Sequence, residues 1–172
     1  MKIALGIDQY NRAVTEATRR QLSNEHKVRN GNYKGPTVGA KAQEAHRVGC
    51  LGEMAVAVML GLEDHVFTET DPVPNSCDLP GNIDVKTRTA KWHDLIVPLI
   101  DNPDKIYVLV ILHHKEIDVC GWIHRKDAAK NHWKENIPGR GIKYVIPKEG
   151  LEAMSTLKEY INKLEVTNGK SD

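Results

Sequence analysis

Cysteine is scarce in this 172-residue chain: Cys50, Cys77 and Cys120 are odd in number and lie far apart. That distribution excludes a disulfide framework, and without paired short spacings no zinc site of the CxxC type is indicated. Long apolar runs are missing too. The longest, Met54 to Leu62, covers nine residues, about half of what a membrane-spanning helix needs. Met1 to Ile7 meets Asp8 before reaching the length of a signal peptide's apolar region, so the expected compartment is the cytoplasm. No Gly-rich loop ends in Lys-Ser or Lys-Thr, which removes P-loop nucleotide hydrolysis. Gly-x-Ser-x-Gly is absent as well, and with it the commonest esterase signature. There is no internal repeat and no low-complexity segment.

Net charge is also nearly absent, at +1, but it is segregated. Residues 1–50 carry nine Lys/Arg against four Asp/Glu, residues 51–84 carry none against seven, and residues 85–172 carry fifteen against twelve. An acidic block flanked by basic segments suits a protein that holds a cation at its centre and phosphates around it. Blocks this short also arise without function. The length indicates one domain, and 40% hydrophobic with 27% charged residues is the ordinary balance of a soluble globular fold.

What is present centres on residues 77 to 88, Cys-Asp-Leu-Pro-Gly-Asn-Ile-Asp-Val-Lys-Thr-Arg. Pro80-Gly81-Asn82 is turn chemistry, and Ile83 to Thr89 alternates like a half-buried strand, which together predict a hairpin. Side chains two apart on a strand share a face, so Asp84 and Lys86 fall together while Ile83, Val85 and Thr87 face the opposite, buried side. The turn then folds Asp78 back beside Asp84. Two anions so close resist joint ionisation unless a cation joins them. A hard divalent ion such as Mg²⁺, which takes oxygen ligands from one or two carboxylates, is the natural candidate. The plainer alternative is a solvated surface turn.

Upstream, Val38 to Leu60 predicts a long helix stopped by Gly61, with Ala45, Val48, Gly52, Ala55, Val56 and Met59 as the stripe that packs on the sheet. Gly49 and Gly52 cost helix stability, about 1 kcal/mol each against Ala, and their expected use is close approach to the sheet. That approach carries Glu53 toward the hairpin acids. Glu44 is a lower-ranked acid on the same helix.

Asp78, then Asp84-Val85-Lys86, preceded by a helix with Gly49-Cys50-Leu51-Gly52-Glu53, resembles the PD-(D/E)XK nuclease superfamily over about residues 49–123. Cys77 stands where the family's name has proline, and five residues separate Asp78 from Asp84, so Asp71 remains an alternative partner acid. The resemblance implies a restriction-endonuclease-like core in a single domain over residues 1–172, with a basic N-terminal helical arm over about residues 1–37. It implies a metal-dependent nuclease, an endonuclease acting on DNA and leaving 5′-phosphates. Asp78, Asp84 and the Val85 carbonyl would bind Mg²⁺ or Mn²⁺, Glu53 would reach the ion directly or through water, and Lys86 would orient or deprotonate the attacking water. Thr87, Arg88 and Lys91 follow along the chain as donors for backbone phosphates. A strand ending in Gly121-Trp122-Ile123 before a short helix, Lys126 to Trp133, is similar to phage-type members. The alternative reading is a catalytically inactive nucleic-acid-binding or structural protein on the same fold.

The remaining elements define a mixed α/β domain with one central mixed sheet flanked by helices. Residues 8 to about 30 predict a polar helix made basic by Arg12, Arg19, Arg20, Lys27 and Arg29, either a solvated face or an arm against nucleic acid. Tyr33 in the loop that follows would stack on a base or cover the core. Strands are expected at Asp64–Thr70, at Leu95–Ile100 as an edge because of Pro98, at Lys105–Leu112 with both faces buried, at Glu116–Ile123 and at Ile142–Ile146. Pro138-Gly139-Arg140-Gly141 is a loop with a basic tip. Leu151, Met154, Leu157, Ile161 and Leu164 form a helical stripe that packs on the body or on a second copy in a homodimer. His113 and His114, adjacent on a strand, are expected to point to opposite faces.

Overall fold

An unbroken run of aliphatic and β-branched residues cannot leave one face in water, and Ile106–His113, here β4, is covered on both sides, with every residue from Ile106 to Leu112 buried. The computed structural model describes residues 1–29, 39–68 and 77–168, with side chains described only as far as residue 25 in the first stretch and residue 162 in the last. β4 lies inside a four-stranded sheet with β1 (Lys2–Ile3), β2 (Ile83–Arg88) and β5 (Glu116–His124), in the order β1-β5-β4-β2. β2 runs parallel to β4, whereas β5 is antiparallel to both β4 and β1, so the sheet is mixed.

The two faces of this sheet bury different layers. On one side lie the helices α1 (Ile7–Arg29) and α2 (Ala40–Leu60). After the short α3 (Arg125–Ala128), α4 (Met154–Asn168) joins them. Leu51, Met54 and Ala55 of α2 and Leu157 of α4 pack there with Val85, Val108 and Val110. On the other side sits a second sheet of β3 (Leu95–Val97), β6 (Lys134–Ile137) and β7 (Gly141–Ile146), in the order β3-β7-β6. Its Leu95, Val97, Tyr144 and Ile146 close on Tyr107, Leu109 and Ile111. The result is a mixed α/β arrangement of helices, mixed sheet and small antiparallel sheet.

Several expectations change. The expected central mixed sheet is present, but β3 and β7 leave it to form, with β6, a second sheet on its other face. Asp64–Thr70 does not form a strand over its described residues: Glu63–His65 is a 3₁₀ turn, Phe67 has φ +62°, and Val66 alone from Glu63 to Thr68 is buried, too little apolar surface to hold a strand on a core. The expected helix at Lys126–Trp133 is broken, because Lys130 is extended between α3 and a 3₁₀ turn at Asn131–Trp133. Ala45 is exposed, and although Ala42 is buried, the part of α2 in the core against the sheet begins at Val48 and widens to cover every residue from Cys50 to Ala57. His114 leaves the strand at φ +56°, which defeats alternation and brings its ring to 4.2 Å from that of His113. Pro98 does follow an edge strand, β3, and Gly61 ends α2 in the left-handed conformation, with the Leu62 amide donating to Ala57 O at 2.8 Å. Tyr33 and Asp71 lie outside the described residues.

Candidate functional site

Parallel pairing puts Asp84, Lys86 and Arg88 beside Tyr107, Leu109 and Ile111, on the side of the second sheet. Ile83, Val85 and Thr87 pair with Ile106, Val108 and Val110 and face the helices. The Lys86 ammonium lies 5.7 Å from the centre of the Tyr107 ring, as this register requires.

The turn is built as its residues dictate. Gly81 and Asn82 take φ +77° and +61°, and the Leu79 amide donates to Ile83 O at 3.1 Å to close the reversal. Among the described residues only this one bridge joins the two arms, and Cys77 to Leu79 do not form a strand. The reversal sets Asp78 at the open edge of β2, where its Oδ2 accepts the Val85 N–H at 2.7 Å. Asn82 O accepts the Ile106 N–H on the β4 side at 2.8 Å. Because the N–H and C=O of one strand residue project to the same side and alternate along the chain, the Val85 carbonyl also lies at the open edge, with Asp78.

Glu53 arrives from α2 because Gly52 permits it. A Cβ on Gly52 would stand 1.9 Å from Thr87 Oγ1, so helix and strand touch here with no room for a methyl group. Gly49 has no such role, since a Cβ there would meet only Glu53 Oε1 at 3.8 Å. The Glu53 carboxylate accepts Arg20 Nη1 and Nη2, each at 2.8 Å, and Arg20 Nε donates to Glu16 Oε1 at 2.8 Å. Burial alone would lower the Arg20 pKa, but the Glu53 carboxylate outweighs it and holds the guanidinium well above its ordinary value. Asp84 accepts from Lys86 Nζ, and its Oδ2 is 3.6 Å from the buried Lys105 ammonium, which is also 3.2 Å from Asp101.

Asp78 has no ion-pair partner among the described residues. Its burial, then the charges of Glu53 and then Asp84, outweigh the Val85 amide and Lys86 and push it up to about 7 from an ordinary 3.8. A carboxyl whose folded pKa is raised stabilises the fold while protonated, and that contribution is lost as pH rises toward the folded value. Without divalent cation, stability is therefore expected to fall between about pH 4 and 7, by up to about 1.4 kcal/mol per pH unit from this group. Urea denaturation of the wild type and Asp78→Asn across that range checks it: the difference between the two should carry the slope, and a difference independent of pH would count against a protonated Asp78.

Asp78, at the open edge of β2, feels the charges of Glu53 from the helix side and of Asp84 and Lys86 from the side of the second sheet, and each acid except Asp78 is directed at a cationic side chain. Among the described residues no three His, Cys, Asp or Glu side chains converge as ligands on one point. The donors are nevertheless those a hard cation takes: the Asp78 carboxylate and the Val85 carbonyl at the edge and the Asp84 carboxylate on the adjoining face, all oxygen. Thr87 is corrected as a phosphate donor, since its Oγ1 is buried against Gly52, without a hydrogen-bond partner among the described residues. Arg88 is half-buried, Lys91 is exposed, and Glu44 is exposed and paired with Arg47 at 2.7 and 2.8 Å.

Two cations at the site have no distinguishing signal in the sequence. Lys105 directly precedes β4, the parallel neighbour of β2. Arg20 comes from α1, one basic residue among many on that helix. A cavity of about 650 Å³ opens beside Arg20 between α1 and the turn, bordered by Arg19, Arg20, Asn24, His46, Phe67 and Asp78. His46 Nε2 and Asn24 Nδ2 are 2.9 Å apart across the two helices. No helix among the described residues is long and apolar enough to cross a membrane. Comparison of the chain with protein-family models, with curated proteins and with solved structures returns no match.

Proposed function

We propose that this chain is a metal-dependent nuclease that hydrolyses DNA phosphodiester bonds on a restriction-endonuclease-like core of the PD-(D/E)XK kind. The observation that carries the reading is the seat of Asp78: an acid with no ionic partner among the described residues, hooked to the Val85 amide next to Asp84, at an edge that also presents the Val85 carbonyl. Asp78, Asp84 and that carbonyl would hold Mg²⁺ or Mn²⁺, with Glu53 reaching it through water. When bound, the ion supplies a lowered pKa for the attacking water and stabilisation of the charge that develops on the phosphate. Lys86 would leave Asp84 to orient the water, or to take its proton once the ammonium has given up its own to solvent. Arg20, released from Glu53 at the cavity wall, offers a planar pair of donors to a phosphate. The expected setting is the cytoplasm, and double-strand cutting would call for a homodimer.

A nucleic-acid-binding protein without catalysis is the second reading, favoured by the same ion pairs: Glu53 is already neutralised by Arg20 and Asp84 by Lys86. Supercoiled plasmid incubated with the protein and Mg²⁺ or Mn²⁺ separates the two. The nuclease reading expects nicked or linear product that EDTA abolishes. Retained, salt-sensitive DNA binding with no cleavage in either metal would establish the second reading instead.

A further inference from the structure

Six residues, Thr89-Ala90-Lys91-Trp92-His93-Asp94, join β2 to β3, and both ends of the connection are fixed: Arg88 pairs with β4, and buried Leu95 pairs with β7. Between them the chain is held at three points. The His93 amide donates to Ala90 O at 3.1 Å, closing a turn with Lys91 and Trp92 at its tip. His113 Nδ1, at the end of β4, donates to Thr89 O at 3.2 Å, and Lys148 Nζ donates to Lys91 O from a 3₁₀ turn at Lys148–Gly150. The loop so fastened leaves Trp92 79% exposed. Among the described residues no other Trp, Tyr or Phe exceeds the 40% of Tyr10, and the other large apolar side chains in water, Ile100 among them, are aliphatic. The two remaining tryptophans are occupied. Trp122 is buried, with Nε1 donating to Ala153 O at 3.1 Å and Thr156 Oγ1 at 3.0 Å, and Trp133 lies 4.7 Å from the Lys130 ammonium over its ring. Trp92 has one ring neighbour, His93, edge-on at 6.0 Å, and its indole N–H has no partner among the described residues. An indole normally hides most of its surface, so a fastened loop that holds one out in water forgoes a large burial.

We propose that Trp92 is a stacking platform for an unpaired base of a nucleic-acid strand, with Lys91 and Lys148 as the cations for the neighbouring phosphates. An aromatic face accepts any base, but only one whose own face is open, so the partner is a single strand, a flap or a frayed end rather than continuous duplex. Charge agrees with this partner: Arg88, Lys91 and Lys148 outnumber Asp94 and Glu149 around the turn. Trp92 follows Lys86 by six residues, which places the two within about 20 Å of each other. A short run of nucleotides covers that distance. The platform deepens the nuclease reading by naming its substrate class, and rests on that reading for nucleic acid as the partner.

Fluorescence anisotropy with a labelled oligothymidylate and with a blunt duplex, both in EDTA and across a salt series, tests the platform without requiring catalysis. Trp92 is exposed, so Trp92→Ala should fold normally, as a thermal melt will verify. It is expected to bind the single strand at least about fivefold more weakly, the low end of what one lost base stack costs. The slope of log K against log salt should stay at its wild-type value, because no phosphate contact is removed. Lys91→Ala should do the converse and lower that slope by about 0.7. Trp92→Phe should keep most of the affinity yet lose the quenching of tryptophan emission that accompanies binding, since Trp122 and Trp133 are engaged within the protein. Wild-type affinity in Trp92→Ala, or an equal loss on single strand and duplex, would overturn the platform, even in a protein that cleaves DNA. So would a concentration-dependent mass in light scattering that Trp92→Ala abolishes, since the ring would then be a contact between copies. Single-strand binding that depends on Trp92, with no cleavage in either metal, keeps the platform and sinks the nuclease. A wild type that binds no nucleic acid removes both.

Discussion

Asp84→Asn is expected to reduce metal-dependent plasmid cleavage by at least about 10³-fold while leaving the protein folded. The carboxylate is buried on the polar face of β2, accepts from Lys86, and faces the Lys105 ammonium at 3.6 Å. Asparagine keeps the shape and an acceptor oxygen but removes the charge, and with it most of the attraction for a divalent cation. Burying a charge without a partner is the usual hazard of such a change. Here Lys105 keeps Asp101 at 3.2 Å, so the fold has a second anion to rely on. Lys86→Ala is expected to lose about 10²- to 10³-fold, because it removes a group acting on the water and leaves the acids in place. Initial rates of nicking, measured beside thermal melts of each variant, separate loss of chemistry from loss of structure. Cleavage by folded Asp84→Asn within tenfold of wild type would sink the assignment of Asp84 as a metal-holding acid.

Gly52→Ala is expected to be the most damaging single methyl group that can be added to α2. Its Cβ would stand 1.9 Å from Thr87 Oγ1, 3.0 Å from Thr87 Cβ and 3.1 Å from Thr87 Cγ2. A strand held in register on β4 and a helix packed on the core both resist retreat, so the strain is not relieved cheaply. Overpacking of this kind costs about 1–3 kcal/mol, which for a chain of this length is about 2–12 °C in melting temperature. Alanine's better helix propensity offsets roughly 1 kcal/mol at most. Thr87→Ala in the same chain should recover part of the loss, since the nearest atom is then gone and the remaining Cβ stands at 3.0 Å. The same displacement moves Glu53, the next residue along the helix, so activity should fall further than stability alone accounts for. A Gly52→Ala protein as stable as wild type would show that the helix and strand are not in the contact described.

Much of the local architecture was legible in the sequence, because it rests on local chemistry. Pro80-Gly81-Asn82 turns where those residues permit positive φ, the Gly61 stop follows from the absent Cβ, and the apolar run from Ile106 to Leu112 demands burial on both faces. The alternation of Ile83, Val85 and Thr87 against Asp84, Lys86 and Arg88 is likewise a property of any strand. The signal failed where an element is held by distant partners. β6 is Lys-Glu-Asn-Ile, without an apolar face, and exists because β7 pairs with it. β1 is two residues long and is fastened by the terminal amine to Asp118 at 2.8 Å and by pairing with β5.

The sequence by itself determined which groups are available: two acids around one turn, a lysine two residues after the second, and a glycine placed to let a helix come close. Only the tertiary structure decided what those groups face. It turns Thr87 into the helix, gives Glu53 to Arg20 of α1, sets the buried Lys105 beside Asp84, and leaves Asp78 without an ionic partner among the described residues. The physical reason is range. Turn and strand preferences act within a few residues, whereas the charge state of a buried carboxyl depends on the ions brought near it in space, which for Asp78 include Glu53 from α2, 25 residues away in the chain.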